Sequence, residues 1–566
     1  MKEWKLIPWH KLERRVFKLQ TRIFKASARG EVKVVRRLQK TLMRSWSAKC
    51  LAVRRITQDN QGKKTAGVDG IKSLTPPQRL ELVNQLRLTE KAKPTRRVWI
   101  PKPGSTTEKR PLGIPTIAER ALQTLVKQAL EPEWEAKFEP NSYGFRPGRC
   151  AQDAIKAIMN GICLKAKYVL DADISKCFDQ INHRELLAKL NTFPKLRRQI
   201  KSWLKSGVLE DGQWFPTEAG TPQGGTASPL LANIALHGME TRVKQAFPKR
   251  ERRVNGQKVG NRQPPHLIRY ADDFVILHED LDVVQQCQQI LIDWLAQIGL
   301  KLHPDKTRIT HTLHPHEGQV GFDFLGFTVR QFPAGQYRTA HNSYGKPLGF
   351  KTLIKPSQTS IRRHQWKLKQ ILYRHQASTQ LALIDALNPV VIGWSNYFRS
   401  GVSSEIFSML DHWLFYQLKY WAFHRHPRKN PGWIANKYWL IDRGEGWRFA
   451  LKTADPRHRL AEHKDTAIQR HTKVQGQRSP FDADWIYWSS RMGRYSQVPP
   501  RVARLLKRQK GSCPFCQLYF LDTDVLEIDH VIQRTQGGKD DYNNLQLLHR
   551  HCHDVKSAND GRLRCA

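Results

Sequence analysis

Apolar and polar positions alternate at helical spacing over roughly the first 90 residues of the chain. In LERRVFKLQTRIFKASARGEVKVVRRLQKTLMRSW, apolar residues recur every three or four positions, and basic residues fill many of the positions between them. This period predicts helices with one apolar face and one basic face. From residue 96, RRVWIPKPGSTTEKRPLGIPT predicts two short strands joined by a polar loop, and IAERALQTLVKQALEPEWE predicts a helix.

The middle of the chain mixes strand and helix patterns without regular βαβ alternation. KYVLDADISKCFDQINHRELLAKL predicts a strand followed by a helix, whose start is marked by Asn182 and by Glu185 three residues later. GTPQGGTASPLLANIAL predicts a glycine-rich turn before an apolar helix, and GFDFLGFTVR predicts a strand pair. This order favours an α+β domain over a doubly wound parallel sheet.

From about residue 350 to 425 the pattern is helical and rich in aromatic residues. Most of these aromatics are expected in a core, and Pro389 is expected to interrupt the helix over LALIDALNPVVIGWSNYFR. Arg, Lys and His on the other faces are the expected nucleic-acid contacts. Residues 452–480 are polar, basic and poor in large apolar residues, which predicts a linker or a nucleic-acid-binding region between two cores.

Composition adds a polyanionic partner to this picture. The 566 residues include 95 Lys and Arg against 50 Asp and Glu, a formal charge of +45. The length allows about four domains, and the basic residues are spread along the whole chain, which favours a nucleic acid over a membrane. Because no run approaches the ~20 apolar residues of a membrane span and no secretion signal is recognisable, the protein is expected to be soluble and intracellular.

Two adjacent carboxylates stand between apolar runs in HLIRYADDFVILHED. LIRY and FVIL predict two strands with room only for a tight turn, so Asp272 and Asp273 are expected to project from the tip of a hairpin. Side by side, two ionised carboxylates repel each other, and a bound cation relieves the repulsion. Taken alone, the dipeptide favours a solvated turn over a cation site.

A second pair of carboxylates changes that interpretation. In YVLDADI, Asp171 and Asp173 alternate onto one face of a strand near its end, where one of them can meet the hairpin pair. Three carboxylates there would hold two Mg²⁺ ions about 3.5 to 4 Å apart, as in-line nucleotidyl transfer requires. No stretch fits GxxxxGK[ST], so the nucleotide is expected at the carboxylates and not at a phosphate-binding loop.

Together, DADISKCFDQINH, GTPQGGTASPLLANIAL, YADD and GLKLHPDKT resemble the reverse transcriptases encoded within bacterial and organellar group II introns. The resemblance extends from NQGKKTAGVDG to LNPVVIGWSNYFR, which is similar to their maturase or thumb segment. It implies a multidomain α+β fold: a right-hand polymerase with fingers and palm, followed by a helical thumb or maturase domain.

The resemblance also assigns roles at the polymerase site. Asp173 matches the first metal ligand, because Phe178 stands where the family places a side chain under the incoming sugar. Asp272 matches the second metal ligand, with Asp273 beside it, and Asp171 and Asp179 are then structural.

Five further residues are implied as nucleotide contacts or as a proton donor. Gln223 matches a residue that lines the nascent base pair, and Gly224 lets the backbone approach closely. Lys102 and Arg110 match residues that grip the triphosphate of an incoming dNTP. Lys306 matches a lysine that protonates the departing pyrophosphate, although an ordinary surface lysine fits its position equally well.

Near the C-terminus, two ligand pairs predict a metal site. Cys513 and Cys516 in CPFC are followed by His549 and Cys552 at the same interval, a double pair that suits a tetrahedral structural zinc. This stretch resembles the HNH nucleases, which often have Cys where this chain has His549. His551 or Cys565 is therefore left open as the fourth ligand.

The HNH resemblance implies a small zinc-stabilised ββα-metal domain with its own active site. In it, His530 is the general base, Asp529 and His553 bind a single Mg²⁺ or similar ion, and Asn544 holds the loop with His530. A plain zinc-ribbon DNA-binding module is the alternative, but it has no need for Asp529, His530 and Asn544 in that order.

These resemblances divide the chain into five predicted regions. They are a basic helical extension with the start of the fingers (1–95), fingers and palm (96–345), a helical thumb or maturase domain (346–440), a basic DNA-binding region or linker (441–510) and an HNH domain (511–566).

The implied function is that of an intron-encoded protein with several activities. It would bind its intron RNA and aid splicing, cut a DNA target strand with the HNH module and copy the RNA from the new 3′ end, which is the mobility process called retrohoming. A bacterial, nucleoid-associated cytoplasmic location is expected, with an organelle left open, no membrane partner and no indication of the oligomeric state. The alternatives are a maturase with an inactive polymerase, a retron-like or defence-associated reverse transcriptase, and a homing nuclease acting alone.

Overall fold

The computed structural model describes residues 3–101, 108–254, 257–442, 446–453, 458–493, 498–521 and 524–562. The chain begins with four helices, as the amphipathic pattern predicts. They are α1 (Trp9–Ala28), α2 (Val32–Arg44), α3 (Trp46–Arg54) and α4 (Pro76–Gln85). In α1, Leu12, Val16 and Ile23 are buried at helical spacing, and basic residues occupy the opposite face.

Residues 95 to 356 form a mixed α/β region. Its first half comprises β1 (Thr95–Pro101), β2 (Lys109–Ile114), α5 (Ile117–Glu135), α6 (Ala151–Ile162), β3 (Tyr168–Asp173), α7 (Cys177–Gln180), α8 (His183–Leu190), α9 (Pro194–Leu204), β4 (Val208–Glu210), β5 (Gln213–Phe215), α10 (Ser228–Leu236) and α11 (Met239–Ala246). Its second half comprises β6 (Arg250–Val254), β7 (Gln257–Arg262), β8 (His266–Tyr270), β9 (Asp273–His278), α12 (Leu281–Gln297), β10 (Arg308–His311), β11 (Phe322–Phe324), β12 (Phe327–Pro333) and β13 (Phe350–Pro356).

The central sheet of this region has the strand order β10-β3-β9-β8, with every neighbouring pair antiparallel. A second sheet has the order β2-β1-β4-β5, and a third has β11-β12-β13. One hydrophobic core includes Leu12 and Ile23 of α1 together with Leu170 of β3 and Ile276 of β9. The N-terminal helices therefore pack onto the sheet region, without a break in the core near residue 95.

A helical region follows the third sheet. It consists of α13 (Gln358–Arg374), α14 (Gln380–Phe398), α15 (Ser404–Arg425) and α16 (Pro431–Tyr438), with the hairpin β14 (Trp439–Asp442) and β15 (Gly446–Phe449). Its core contains Trp421 and Tyr438, as expected for most of the aromatics, whereas Tyr373 and Tyr420 are exposed.

The expected interruption at Pro389 is wrong, because α14 continues through this residue. Leu387 and Val391 are buried on either side of Pro389. Their packing into the helical core offsets the hydrogen bond that a proline removes.

The polar segment expected to link two cores packs against the sheet region in its described part. His471 Nε2 lies 3.1 Å from Asp153 Oδ1 of α6, and the Val474 amide donates to the same oxygen at 2.8 Å. Nη2 of Arg491, in the helix at residues 485–492, donates to both Asp153 carboxylate oxygens, at 2.6 and 2.8 Å. The fully buried Asp153 carboxylate thus ties this segment to α6.

The C-terminal region has its own small core. It is built from α17 (Trp485–Met492), α18 (Pro500–Arg508), β16 (Leu526–His530), β17 (Leu545–His549) and α19 (Arg550–Arg562). Met492, Leu505 and Leu506 pack there with Cys513 and Cys552, so this core begins before residue 511. Among the described residues, no helix has the length and apolar character needed to cross a membrane.

Candidate active sites

The hairpin β8–β9 carries the paired carboxylates. Tyr270 pairs with Asp273, so Ala271 and Asp272 form the two-residue turn, and Ala271 has a left-handed φ of 59°. The backbone of this turn packs closely against Gly144. A Cβ atom at residue 144 would lie only 2.4 Å from the Ala271 nitrogen.

A buried arginine braces this turn from beneath. The Arg269 guanidinium donates to Asn233 Oδ1 at 2.9 Å, to the Ala271 carbonyl at 2.8 Å and to Ser142 Oγ at 2.8 Å. Sequence reasoning missed Arg269, although a charged residue inside the apolar strand LIRY is a signal that a buried partner set is needed.

The strand register decides which carboxylate of YVLDADI meets the hairpin. In the β3–β9 pair, Asp173 stands directly opposite Asp273, while Asp171 stands opposite Val275. Directly opposed residues have Cβ atoms about 4.5 to 5.5 Å apart. Asp173 therefore lies beside the Asp272–Asp273 pair, and Asp171 lies further along the strand with Arg308 at 3.9 Å.

The electrostatics of these carboxylates favour a bound cation. Removal from water raises the pKa of Asp273 to about 7, and the carboxylates of Asp272 and Asp173 add to the shift. Removal from water, with the Asp173 charge, also raises the pKa of Asp272. The cluster therefore resists holding several negative charges by itself, and divalent cations with oxygen ligands would relieve that resistance.

Lys306 lies at this cluster. Its Nζ donates to Asp173 Oδ2 at 2.6 Å, and this hydrogen bond raises the pKa of Lys306. The Lys306 side chain is otherwise exposed, so a ligand at the carboxylates can reach its ammonium.

Gln223 and Phe178 lie in two segments of the chain that contact each other. Gln223 Nε2 donates to Asp179 Oδ1 at 3.1 Å, and the Thr221 amide donates to the Phe178 carbonyl at 2.5 Å. The Phe178 ring makes an edge contact with Phe145, with 6.1 Å between the ring centroids.

Gly224 brings this loop against β2. It has φ of +121°, and a Cβ there would lie 2.7 Å from the Gly113 carbonyl oxygen. Arg110 is exposed on the same strand, and its charge lowers the pKa of Asp272, opposing the larger effect of burial. Lys102 lies outside the described residues.

At the C-terminal module, Cys513, Cys516, His549 and Cys552 place one ligand atom each within 4.8 Å of one another. His549 Nδ1 faces Cys516 Sγ at 3.4 Å, and its Nε2 faces Asp524 Oδ2 at 3.3 Å. A carboxylate on the far nitrogen is the arrangement that orients metal-binding histidines.

The alternative ligands are placed differently. His551 stacks on His549 with 5.1 Å between the ring centroids, and its Nδ1 lies 3.2 Å from Arg54 Nη2 of α3. Its ring is thus directed to the N-terminal helices and away from the sulfur atoms. Cys565 lies outside the described residues.

The predicted nuclease residues lie on β16, α19 and the loop between the strands. His553 Nε2 lies 3.7 Å from Asp529 Oδ1, and Lys556 Nζ lies 3.1 Å from Asp529 Oδ2. His530 Nε2 lies 3.1 Å from Asp540 Oδ1, which also accepts from Arg501 at 2.5 Å. Sequence reasoning missed Asp540, which lies in the loop between β16 and β17, and Lys556, which lies on α19.

Asn544 fixes the loop that follows His530. Its Oδ1 accepts from the Ile532 amide at 2.7 Å, and its Nδ2 donates to the Ile532 and Lys539 carbonyls, each at 2.9 Å. All of the Asn544 side-chain groups are thus used to hold residues 532–539 in one conformation.

Four family models match successive parts of the chain. They describe the N-terminal domain of reverse transcriptase (residues 4–86), reverse transcriptase or RNA-dependent DNA polymerase (100–329), the group II intron maturase-specific domain (361–439) and HNH endonuclease (513–559).

Several known proteins are similar to this chain in sequence. The group II intron-encoded protein LtrA of Lactococcus lactis subsp. cremoris is 27% identical over 456 residues, which cover 68% of this chain and 74% of LtrA. Protein YkfC of Escherichia coli K12 is 31% identical over 306 residues, 48% of this chain and 77% of YkfC. Maturase-like protein 1 of Euglena gracilis is 33% identical over 245 residues, 41% of this chain and 51% of that protein.

Proposed function

Because this chain belongs to the group II intron-encoded reverse transcriptases that carry a maturase domain and an HNH endonuclease domain, we propose how its residues divide these activities. The protein is an RNA-directed DNA polymerase and a DNA endonuclease. The proposals concern the centres at which each reaction occurs and the groups that carry it out.

The polymerase centre is Asp173, Asp272 and Asp273. The observation that carries this proposal is the register of β3 and β9, which sets Asp173 opposite Asp273. Two Mg²⁺ ions bound at these carboxylates would activate the primer 3′ hydroxyl and stabilise the leaving oxygen of nucleotidyl transfer. The raised pKa of Asp273 supports the fit, since a cation would replace the protons that the carboxylates otherwise retain.

Residues around the carboxylates position the substrates. Arg110, with Lys102, grips the triphosphate of the dNTP through charge-assisted hydrogen bonds. Phe178 lies under the sugar and disfavours ribonucleotides, and Gln223 and Gly224 line the nascent base pair. Lys306 donates a proton to the departing pyrophosphate, and its short contact to Asp173 supports a position at the reacting phosphates.

These assignments imply a right-hand polymerase. The sheet containing β1 and β2 corresponds to the fingers, the sheet containing β3 and β9 to the palm, and α13–α15 to the thumb or maturase domain. The predicted regions 1–95, 96–345 and 346–440 are kept, and the boundary between 441–510 and 511–566 is moved so that α18 joins the HNH module, because Leu505 and Leu506 lie in its core.

The HNH centre is a ββα-metal unit with a structural zinc. Cys513, Cys516, His549 and Cys552 hold the zinc. His530 would take the proton of the attacking water. Asp529 and His553 would hold one Mg²⁺ or similar ion, which would supply Lewis-acid stabilisation of the departing oxygen. Asn544 supports His530 through the loop that it fixes.

The partners follow from the family and the charge. The intron RNA is bound on basic surface, consistent with a charge of +45, and the target DNA is cut by the HNH module so that its new 3′ end primes synthesis. The match to the maturase-specific domain favours this function over a retron-like enzyme without a splicing role. We place the protein in the bacterial cytoplasm, associated with the nucleoid.

Primer extension on an RNA template with Mg²⁺ tests the polymerase proposal. Asp272→Asn is expected to abolish synthesis while RNA binding persists, because the carboxylate holds metal and not RNA. Filter binding of the intron RNA to the same preparation is the control. Synthesis by Asp272→Asn at the wild-type rate would refute the assignment, and an inactive wild-type protein would support a maturase with an inactive polymerase.

A further inference from the structure

The position of His553 depends on a carboxylate that the sequence motifs do not assign. Its Nδ1 lies 2.8 Å from Glu527 Oε2, while its Nε2 lies 3.7 Å from Asp529 Oδ1. The two nitrogens of one ring therefore face two different carboxylates.

These contacts select one form of the imidazole. An ionised carboxylate can only accept hydrogen bonds, so the Nδ1 that faces Glu527 carries a proton. In the neutral ring the lone pair is then on Nε2, on the side of Asp529. This is the form in which His553 can bind a cation together with Asp529.

Glu527 is itself held in place. Its Oε1 accepts from Arg550 Nε at 2.8 Å, so each of its oxygens has a separate partner. Glu527 and Asp529 share one face of β16, because they are two residues apart on a strand. Arg550 and His553 share one face of α19, because they are three residues apart on a helix.

We propose that Glu527 is a positioning residue of the nuclease centre, which fixes the ring orientation and tautomer of His553 so that Nε2 faces the metal. This inference rests on the proposed assignment of Asp529 and His553 as metal ligands. Glu527 acts through His553 and does not touch the metal itself.

A different arrangement of the same groups is geometrically possible. Glu527, His553 and Asp554 each offer a ligand atom within 4.8 Å of the others, so a metal on Glu527 and Asp554 would make Glu527 a direct ligand. The exposed Asp554 separates the two arrangements, because it has no role when the metal lies between His553 Nε2 and Asp529.

Mn²⁺ affinity tests the proposal without reference to cleavage. The experiment uses the full zinc-loaded chain with Asp173, Asp272 and Asp273 changed to Asn. The nuclease centre is then the remaining tight site for Mn²⁺, and electron paramagnetic resonance measures the free Mn²⁺. Glu527→Ala is expected to weaken binding by about 10- to 100-fold. Glu527→Gln is expected to restore most of the affinity, because its amide oxygen still accepts from Nδ1. If the Glu527→Ala protein does not retain its zinc, Glu527→Met replaces it in the comparison of Mn²⁺ affinity with Glu527→Gln.

Two control variants assign every other outcome. His553→Ala should lose Mn²⁺ binding, and Asp554→Asn should leave it unchanged. If His553→Ala binds as the parent does, the proposed metal assignment fails. If His553→Ala is impaired but Glu527→Ala is not, the positioning role alone is overturned. If Glu527→Gln binds Mn²⁺ as weakly as Glu527→Ala, or if Asp554→Asn binds it more weakly than the parent, Glu527 is a direct ligand. Either result would also overturn the positioning role.

Discussion

At the scale of single residues, the register of β3 and β9 sets Asp173, and not Asp171, opposite Asp273. The motif residues Asp272 and Asp273 were expected at a hairpin tip, and the turn at Ala271 and Asp272 agrees with that expectation. The residue analysis alone left open which of Asp171 and Asp173 meets them, because a period of two places both on one face. Strand register separates them, and register depends on partners that are distant in the sequence.

Arg269 and Glu527 show what residue-level reasoning cannot supply. Each is a charged side chain whose purpose becomes visible only when its partners are known. The sequence can flag the anomaly of a charge in an apolar strand, but it cannot identify the groups that satisfy it.

The register predicts that Asp173 and Asp171 differ in importance. Asp173→Asn should slow primer extension by about 10³-fold or more, since a metal ligand supplies several kcal/mol of transition-state stabilisation. Asp171→Asn should retain activity within about tenfold, since Asp171 stands opposite Val275 and beside Arg308. Single-nucleotide incorporation rates for the two variants provide the measurement. Equal losses for both would contradict the register argument.

At the scale of elements, the sequence predicts whether a segment is a helix or a strand more readily than where the element ends and what it packs against. The helices of the first 90 residues follow from their periodicity. The strands of the β8–β9 hairpin follow from continuous apolar runs, which are buried at successive positions. Pro389 was misjudged because local propensity ignores the burial of Leu387 and Val391 around it. The polar composition of segment 452–480 predicts a linker or a nucleic-acid-binding region, because its anchoring groups, such as His471, are polar and pair with a carboxylate far away in the sequence.

The helical region contains a buried histidine pair that predicts a pH dependence of stability. His364 Nε2 lies 2.8 Å from His463 Nε2, and His463 Nδ1 lies 2.6 Å from Asp411 Oδ1. Burial, with the charge of His463, lowers the pKa of His364 from 6.5 to about 3. Between these two values the unfolded chain binds a proton at this site that the folded chain does not, so stability falls as pH decreases from about 6.5 toward 3.

His364→Gln should weaken this pH dependence, because Gln can keep the hydrogen bond to His463 but does not titrate. The free energy of unfolding of wild type should change more steeply between pH 5 and 6.5 than that of the variant, by at most about 1.4 kcal/mol per pH unit. Urea unfolding of both proteins, followed by tryptophan fluorescence, measures the two slopes. Identical slopes would show that His364 binds protons alike in the folded and unfolded states, which would contradict its lowered pKa.

At the scale of the whole molecule, the terminal regions meet. Phe17 of α1 contacts Trp485 with 4.4 Å between the ring centroids, and Trp485 stacks on Tyr519 at 5.9 Å. Arg54 and His551 make a polar contact at the same junction, beside a cavity of about 230 Å³. The sequence predicted the separate modules from their motifs, but this contact depends on surfaces that carry no motif.

Separate cores predict that zinc removal affects one activity and spares the other. Cys513 and Cys552 are buried in the C-terminal core, whereas the polymerase carboxylates lie on a sheet with a different core. Structural zinc contributes about 10 to 16 kcal/mol in small modules, so a strong chelator should unfold the HNH module and abolish DNA cleavage. Primer extension should persist once Mg²⁺ is restored. Loss of both activities, with Zn²⁺ rescuing both, would contradict the independence of the two cores.

The central claim is that carboxylates from two strands hold the polymerase metals. Anomalous scattering from Mn²⁺, in crystals of the full chain with a primer, an RNA template and a non-hydrolysable dNTP, tests it most directly. We expect two peaks about 3.5 to 4 Å apart, contacted by the carboxylates of Asp173 and Asp272. Peaks at any other set of side chains, with no Mn²⁺ between these two aspartates, would contradict it.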